Sequence, residues 1–260
     1  MALPPDVRLG PVHLTVAGLA RSLDYYRAQI GLDVLAEEDG RATVGAGGRA
    51  LLVLVEETGA RPADGYSGLF HFALLVPDRR ALAAWLAHAA RDRVALTGLS
   101  DHAVSEAIYL SDPDGHGIEI YADRPREVWE GRVRELMTTM PLDTDDLFSE
   151  LDDPATESFD GLPDGTVMGH VHLRVAEIDP TVAFYRDLGF ELMAQLGSQA
   201  AFLAAGGYHH HLGANTWESA GRPQAPPGHA SLRHATLLVP GASAEELVDP
   251  SGNRWRVEAA

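Results

Sequence analysis

Short alternations of apolar and polar residues, each followed by a stretch at helical spacing, recur along this chain. Val12-His13-Leu14-Thr15-Val16 alternates with period two and predicts a strand. Leu19, Leu23, Tyr26 and Ile30 then fall on one helical face, and Gly31 ends that helix. The same order returns at Val171-His172-Leu173-Arg174-Val175, where Asp179 as N-cap and Pro180 at the first helical position predict a helix that ends at Gly189. Two further units open with the runs from Leu69 to Pro77 and from Leu232 to Pro240. They close with Asp112-Pro113-Asp114-Gly115 and Asp249-Pro250-Ser251-Gly252, each a turn leading into a strand. The 35 positions from Pro77 to Asp112 hold a helix with Leu82, Trp85, Leu86 and Ala89 on one face, plus two strands. The 9 from Pro240 to Asp249 do not, so the fourth unit has lost its helix and one or two strands. The expected fold class is α+β, built from four repeated βαβββ modules of which the last is truncated.

The repeat divides the chain into an N-terminal pair of modules at 1–125 and a C-terminal pair at 166–260. Between them, 126–165 carries the acidic run Asp143 to Asp153 and the turn Asp160-Gly161-Leu162-Pro163, and reads as an acidic linker with a short helix around Leu147.

Composition narrows the chemistry more than the fold. With 45% hydrophobic and 22% charged residues, the 260-residue chain has the makings of a globular core. A net charge of -18 disfavours nucleic acid and anionic membrane surfaces as partners, since both need clustered cations. The absence of cysteine removes disulfides, thiolate nucleophiles and sulfur-ligated metals, so any metal site must use histidine and carboxylate. Neither a leader-like start nor an apolar run of about 18 residues is present, which makes the cytoplasm the expected location; oligomerisation is left open.

The densest constellation runs from His102 to Glu119: His102, then Tyr109, then the Asp112-Pro113-Asp114-Gly115 turn, then Glu119 within the alternating segment Gly117 to Tyr121. A carboxylate in an apolar strand is costly unless it is paired or bound to a metal. This spacing resembles the signature of extradiol ring-cleaving dioxygenases, although Ser100 stands where that signature usually carries glycine or another of a short list of residues. Together with the four repeated units and a histidine on each first strand, the pattern is similar to the vicinal oxygen chelate superfamily, which includes glyoxalase I, bleomycin-resistance proteins and extradiol dioxygenases. The two-domain catechol 2,3-dioxygenase-like branch is resembled most, also through Gly207-Tyr208-His209-His210-His211-Leu212-Gly213.

The resemblance implies that pairs of modules curl into cupped mixed sheets with metal ligands facing inward. It implies Glu119 as an iron ligand, His71 on the matching first strand as another, and His102 and Tyr109 in contact with substrate. It also puts an acid/base on His210. Two histidines and one carboxylate leave positions open on a non-heme Fe(II), with Mn(II) as the alternative. The third ligand is His172 if units two and three pair, or His13 if units one and two do. His172 is preferred because unit three also brings the His209-His210-His211 segment, expected as a strand in which His209 and His211 face away from His210. His234 matches His71 in the repeat, but Arg256 stands where Glu119 stands, so a cup built there lacks its carboxylate.

The activity implied is extradiol ring cleavage of a catechol-like or hydroquinone-like aromatic with O2. Two alternatives stay open on the same cup. One is a glyoxalase-like metal-dependent isomerase or lyase, with a second carboxylate as base. The other is a metal-free resistance protein that sequesters a small aromatic molecule.

Overall fold

In the computed structural model, which describes residues 3–260, three units follow the strand, helix, three-strand order. Unit one comprises Arg8–Val16, a helix Leu19–Tyr25 continued by a π-helical turn Tyr26–Ile30, then Asp33–Glu38, Arg41–Ala46 and Arg49–Glu56. Unit two comprises Gly68–Leu75, the helix Arg79–Asp92, then Leu96–Asp101, Ser105–Ser111 and Gly117–Asp123. Unit three comprises Val167–Arg174, the helix Ile178–Asp187, then Glu191–Leu196, Ala200–Ala204 and Leu212–Asn215. The fourth keeps only Leu232–Val239, Glu245–Val248 and Arg254–Ala259. The fold is α+β with curled mixed sheets. The third helix starts behind Glu177 rather than at Asp179, so Pro180 lies within its first turn, where a missing N–H is tolerated. Among the described residues no helix is long and apolar enough to cross a membrane.

Sheet membership crosses the chain halves. One seven-stranded sheet is built from units one and four; a nine-stranded sheet is built from units two and three, with Met140–Pro141 on its edge. Each first strand pairs parallel with the last strand of its own unit and antiparallel with the first strand of a unit in the other half. Gly68–Leu75 thus meets Val167–Arg174, and Arg8–Val16 meets Leu232–Val239. The core faces of these strands contribute Leu14, Leu54, Phe72, Leu74, Val171 and Leu173 to one apolar cluster. The opposite faces carry the histidines.

A register shift on Val167–Arg174 sets which side chains reach the cup. Between Met168 and His170 the pairing slips, so Met168 joins the same core as Val171 and Leu173 while His170 and His172 turn to the other face. Gly169 sits at the slip, where a Cβ would come within 1.9 Å of the Tyr121 hydroxyl.

The two Asp-Pro-x-Gly turns are built alike. Asp112 Oδ1 accepts from the backbone N–H groups of Asp114 and His116 at 2.9 and 2.8 Å, and Asp249 Oδ1 from those of Ser251 and Asn253 at 2.8 Å each. The other oxygen of each accepts from a helix: Tyr26 Oη donates to Asp112 Oδ2 at 2.9 Å, and Tyr185 Oη to Asp249 Oδ2 at 3.0 Å. These buried bonds tie the helix of one unit to the turn of the next within each half. Tyr26→Phe should cost about 1.5–3 kcal/mol, the usual worth of a hydrogen bond to a charged group. Chemical denaturation should show that loss as a lower midpoint with an unchanged slope.

Residues 126–165 are packed against the body rather than loose. The helix Thr144–Phe148 appears where Leu147 was expected to seed one, with Leu147 in the core. Arg79 bridges from unit two to Asp146 and Glu150 at 2.6 and 2.8 Å while also pairing with buried Glu106 at 2.6 Å. Trp129 is buried, and its indole N–H donates to the Arg124 carbonyl.

Candidate active site

Three strands at the middle of the nine-stranded sheet bring His71, Glu119 and His170 together. Ala73 pairs with Glu119 on one side and with His170 on the other, so these two ligand-type side chains flank a methyl group, with His71 two residues along the central strand. His71 Nε2 lies 3.0 Å from Glu119 Oε2, His170 Nε2 lies 3.1 Å from the same oxygen, and the two Nε2 atoms are 3.3 Å apart. All three residues are buried. Adjacent donors around an ion with bonds of about 2.1 Å stand about 3.0 Å apart, so this triangle has the dimensions of one coordination face.

The electrostatics suit a cation. Burial alone would raise the Glu119 carboxyl, yet the charge and hydrogen bonds of His170 and His71 hold it well below the usual range. Burial lowers the pKa of His71. An ionised carboxylate with a neutral imidazole is the state that metal ligation requires. Among the described residues this is the group whose ligand atoms converge for a metal, and two histidines with one carboxylate fit an ion of the iron or manganese type.

His172, expected as third ligand, is not part of this triangle. It pairs directly across from His71, with ring centroids 4.9 Å apart, and its Nε2 is buried without a partner. Burial and the neighbouring His71 and His170 push its pKa well below the ordinary value. Its ring lies over Gly213, where a Cβ would meet it at 2.7 Å. His13, the alternative, lies in the other sheet, stacked on His234 at 3.9 Å. His170 was missed because the sequence repeat aligns His172 with His13, while the position of His170 in unit one is taken by Pro11. The available signal was the spacing of His170 and His172, two apart and hence on one face of a strand.

A cavity of about 790 Å³ opens over the triangle, and Phe70, Phe202 and Trp217 line it among polar groups. His102 and Tyr109 stand in it as a pair. The His102 Nδ1 proton goes to the Thr138 carbonyl at 2.7 Å, which leaves Nε2 as the acceptor for the Tyr109 hydroxyl at 2.7 Å. Thr138 belongs to 126–165, so that segment fixes a tautomer in the cavity. Burial and the Glu119 charge push the Tyr109 phenol well above its ordinary pKa.

His210 also lines the cavity, its ring 4.1 Å from that of His170. The segment expected as a strand is instead an irregular bend after Gly206 and Gly207, both at positive φ, and regular pairing resumes at Leu212. His209 therefore does not simply face away. It donates from Nε2 to Asp123 at 2.8 Å, and its Nδ1 accepts from His210 Nδ1 at 2.7 Å. That order of protons leaves His210 Nε2 as the free lone pair, and burial with His170 and His209 nearby keeps the ring neutral by pushing its pKa well down.

Comparison with known proteins agrees with this architecture. Residues 8–120 and 167–244 match the family model described as the glyoxalase/bleomycin resistance protein/dioxygenase superfamily. The chain belongs to that superfamily. Within it, the chain is 42% identical over 251 residues to a catechol-2,3-dioxygenase of Bacillus subtilis (strain 168), covering 94% of this chain and 86% of the relative. Among solved structures, a putative dioxygenase from Bacillus subtilis subsp. subtilis str. 168 superposes with a TM-score of 0.60 at 15% identity, covering 95% of this chain and 84% of its own. Glyoxalase I from Zea mays gives 0.59 at 17% identity, covering 98% and 92%. These two share the superfamily fold.

Proposed function

We propose that the chain is a metal-dependent extradiol dioxygenase that opens a catechol-like aromatic ring with O2, with His71, Glu119 and His170 holding Fe(II) or Mn(II). The observation that carries this reading is the donor triangle, set beside a polarised His210 in an aromatic-walled cavity. Similarity to a catechol-2,3-dioxygenase over most of the chain supports it.

When bound, such an ion would gather both substrate oxygens and O2 in one geometry and pass electrons between them. The side chains do the rest. Phe70, Phe202 and Trp217 supply apolar surface for a flat ring. Tyr109, with its proton committed to His102 Nε2, presents oxygen lone pairs to a substrate hydroxyl. His210 Nε2 takes a proton, and the resulting imidazolium is stabilised through His209 by the Asp123 carboxylate. His172, neutral and unpartnered at Nε2, faces the same cavity and offers substrate a further hydrogen bond.

A glyoxalase-type reaction would call for a second carboxylate near the metal. Among the described residues the only other carboxylate lining the cavity is Glu218, which is half exposed and paired with Arg174 at 3.0 Å. Anaerobic reconstitution with Fe(II), then O2 uptake with a panel of catechols and hydroquinones, tests the proposal. Binding of catechols without O2 consumption would rule it out. Tyr109→Phe should lower turnover less than loss of His210, because it removes one hydrogen bond of about 0.5–1.5 kcal/mol net. Steady-state rates of the two variants make that comparison.

A further inference from the structure

The sheet of units one and four encloses a second cavity of about 800 Å³, the counterpart of the first with its charge reversed. The registers make the correspondence residue by residue. His13 pairs with His234 as His172 pairs with His71, and two residues back along the chain Pro11 stands where the repeat has His170. Arg256 pairs with Thr236, two residues past His234, just as Glu119 pairs with Ala73, two residues past His71. One histidine donor is gone and the carboxylate has become a guanidinium. No divalent cation is held by such a set.

What the cavity does offer is positive charge. Four arginines line it, Arg41, Arg233, Arg254 and Arg256, against the carboxylates Glu57 and Glu246. Glu246 is already paired with Arg256 Nε at 3.1 Å. Among the described residues no carboxylate lies within ion-pair distance of Arg41, Arg233 or Arg254, and Arg233 bonds only the Thr15 hydroxyl at 3.3 Å. All twenty basic residues of the chain are arginine and its net charge is -18, so four of them facing one concavity is a marked local inversion. The histidines register it. His13 is held down to about 3 by burial, by His234 and by Arg41, Arg256 and Arg233, and His234 to about 4 by burial and Arg256. The rest of the lining mixes the apolar side chains of Val55, Leu232 and Leu247 with the polar ones of Thr15, Gln224, His229 and Ser231, and the stacked imidazoles of His13 and His234 present a flat surface.

We infer that the cavity between units one and four is a binding site for a small organic carboxylate with an apolar body. The guanidinium fork matches a planar carboxylate in a way a point charge does not, and unpaired arginines retain their donors for it. The apolar side chains and the imidazole stack take the body of the ligand, which separates this class from inorganic anions.

Benzoate is the probe. Isothermal titration of the metal-loaded full chain should show one benzoate bound per chain at this cavity. Affinity should fall at least tenfold in the Arg41→Ala and Arg256→Gln variants, whose exposed side chains come off without disturbing the core. Glu119→Gln, which alters the other cavity, should leave benzoate affinity unchanged. Circular dichroism on the same samples confirms that each variant is folded. The inference is overturned if benzoate does not bind, if affinity follows Glu119 rather than the arginines, or if inorganic phosphate binds tenfold more tightly than benzoate.

Discussion

His170→Ala should leave a folded protein that retains almost no divalent metal, while His172→Ala should keep most of it. The two residues are neighbours on one strand face, yet only His170 Nε2 lies within 3.1 Å of the Glu119 carboxylate. Loss of one of three protein ligands removes a third of the donors from the ion, whereas a nearby residue outside the ligand set shifts affinity by about 10- to 100-fold at most. Metal analysis after gel filtration, alongside Glu119→Ala as the reference for a lost carboxylate, makes the comparison. Metal loss in His172→Ala with retention in His170→Ala would place the ion one pleat further along the strand. Arg256→Ala should leave the metal content untouched, because that residue lies in the other sheet.

The second large effect concerns the proton path. His210→Gln should retain the metal and still bind a catechol, but turn over about 10²- to 10⁴-fold more slowly, the range expected when a positioned acid/base is lost. Asp123→Asn should reproduce part of that loss with the metal intact, since Asp123 accepts the hydrogen bond from His209, whose other ring nitrogen meets His210. Single-turnover rates on metal-matched samples separate this from a change in loading. Equal turnover by His210→Gln and the parent protein would remove His210 from the reaction.

Much of this arrangement is legible in the sequence, and the parts that are not have identifiable causes. Period-two alternation and the duplicated Asp-Pro-x-Gly turns give three complete units and a shortened fourth, because local patterning and turn chemistry suffice for both. The positions of His71 and Glu119 follow from the ends of unit two. Which units share a sheet does not follow, because each first strand is apolar on its core face and can pair with either neighbour. The division at 1–125 and 166–260 follows the chain, whereas the sheets join Gly68–Leu75 to Val167–Arg174 across it. His170 is hidden for a related reason. Its place in unit one is a proline, so self-comparison points to His172, and only the cross-strand register shows that Ala73 lies level with both Glu119 and His170. The His209–His210 contact is also invisible to alternation, since Gly206 and Gly207 break the strand on which alternation depends.

The pairing of Arg8–Val16 with Leu232–Val239 has a consequence for how the molecule is made. The nine-stranded sheet draws its strands from 68 to 215, so all of them are synthesised before Leu232–Val239. The seven-stranded sheet needs Arg254–Ala259 at its far side, and Leu14 meets Leu232 only after more than two hundred intervening residues. Closing so distant a contact is slow. During translation the first strand therefore waits with one edge unpaired, a template for wrong partners. A chain cut ahead of Leu232 therefore keeps His71, Glu119 and His170 on their strands but leaves that edge of Arg8–Val16 open.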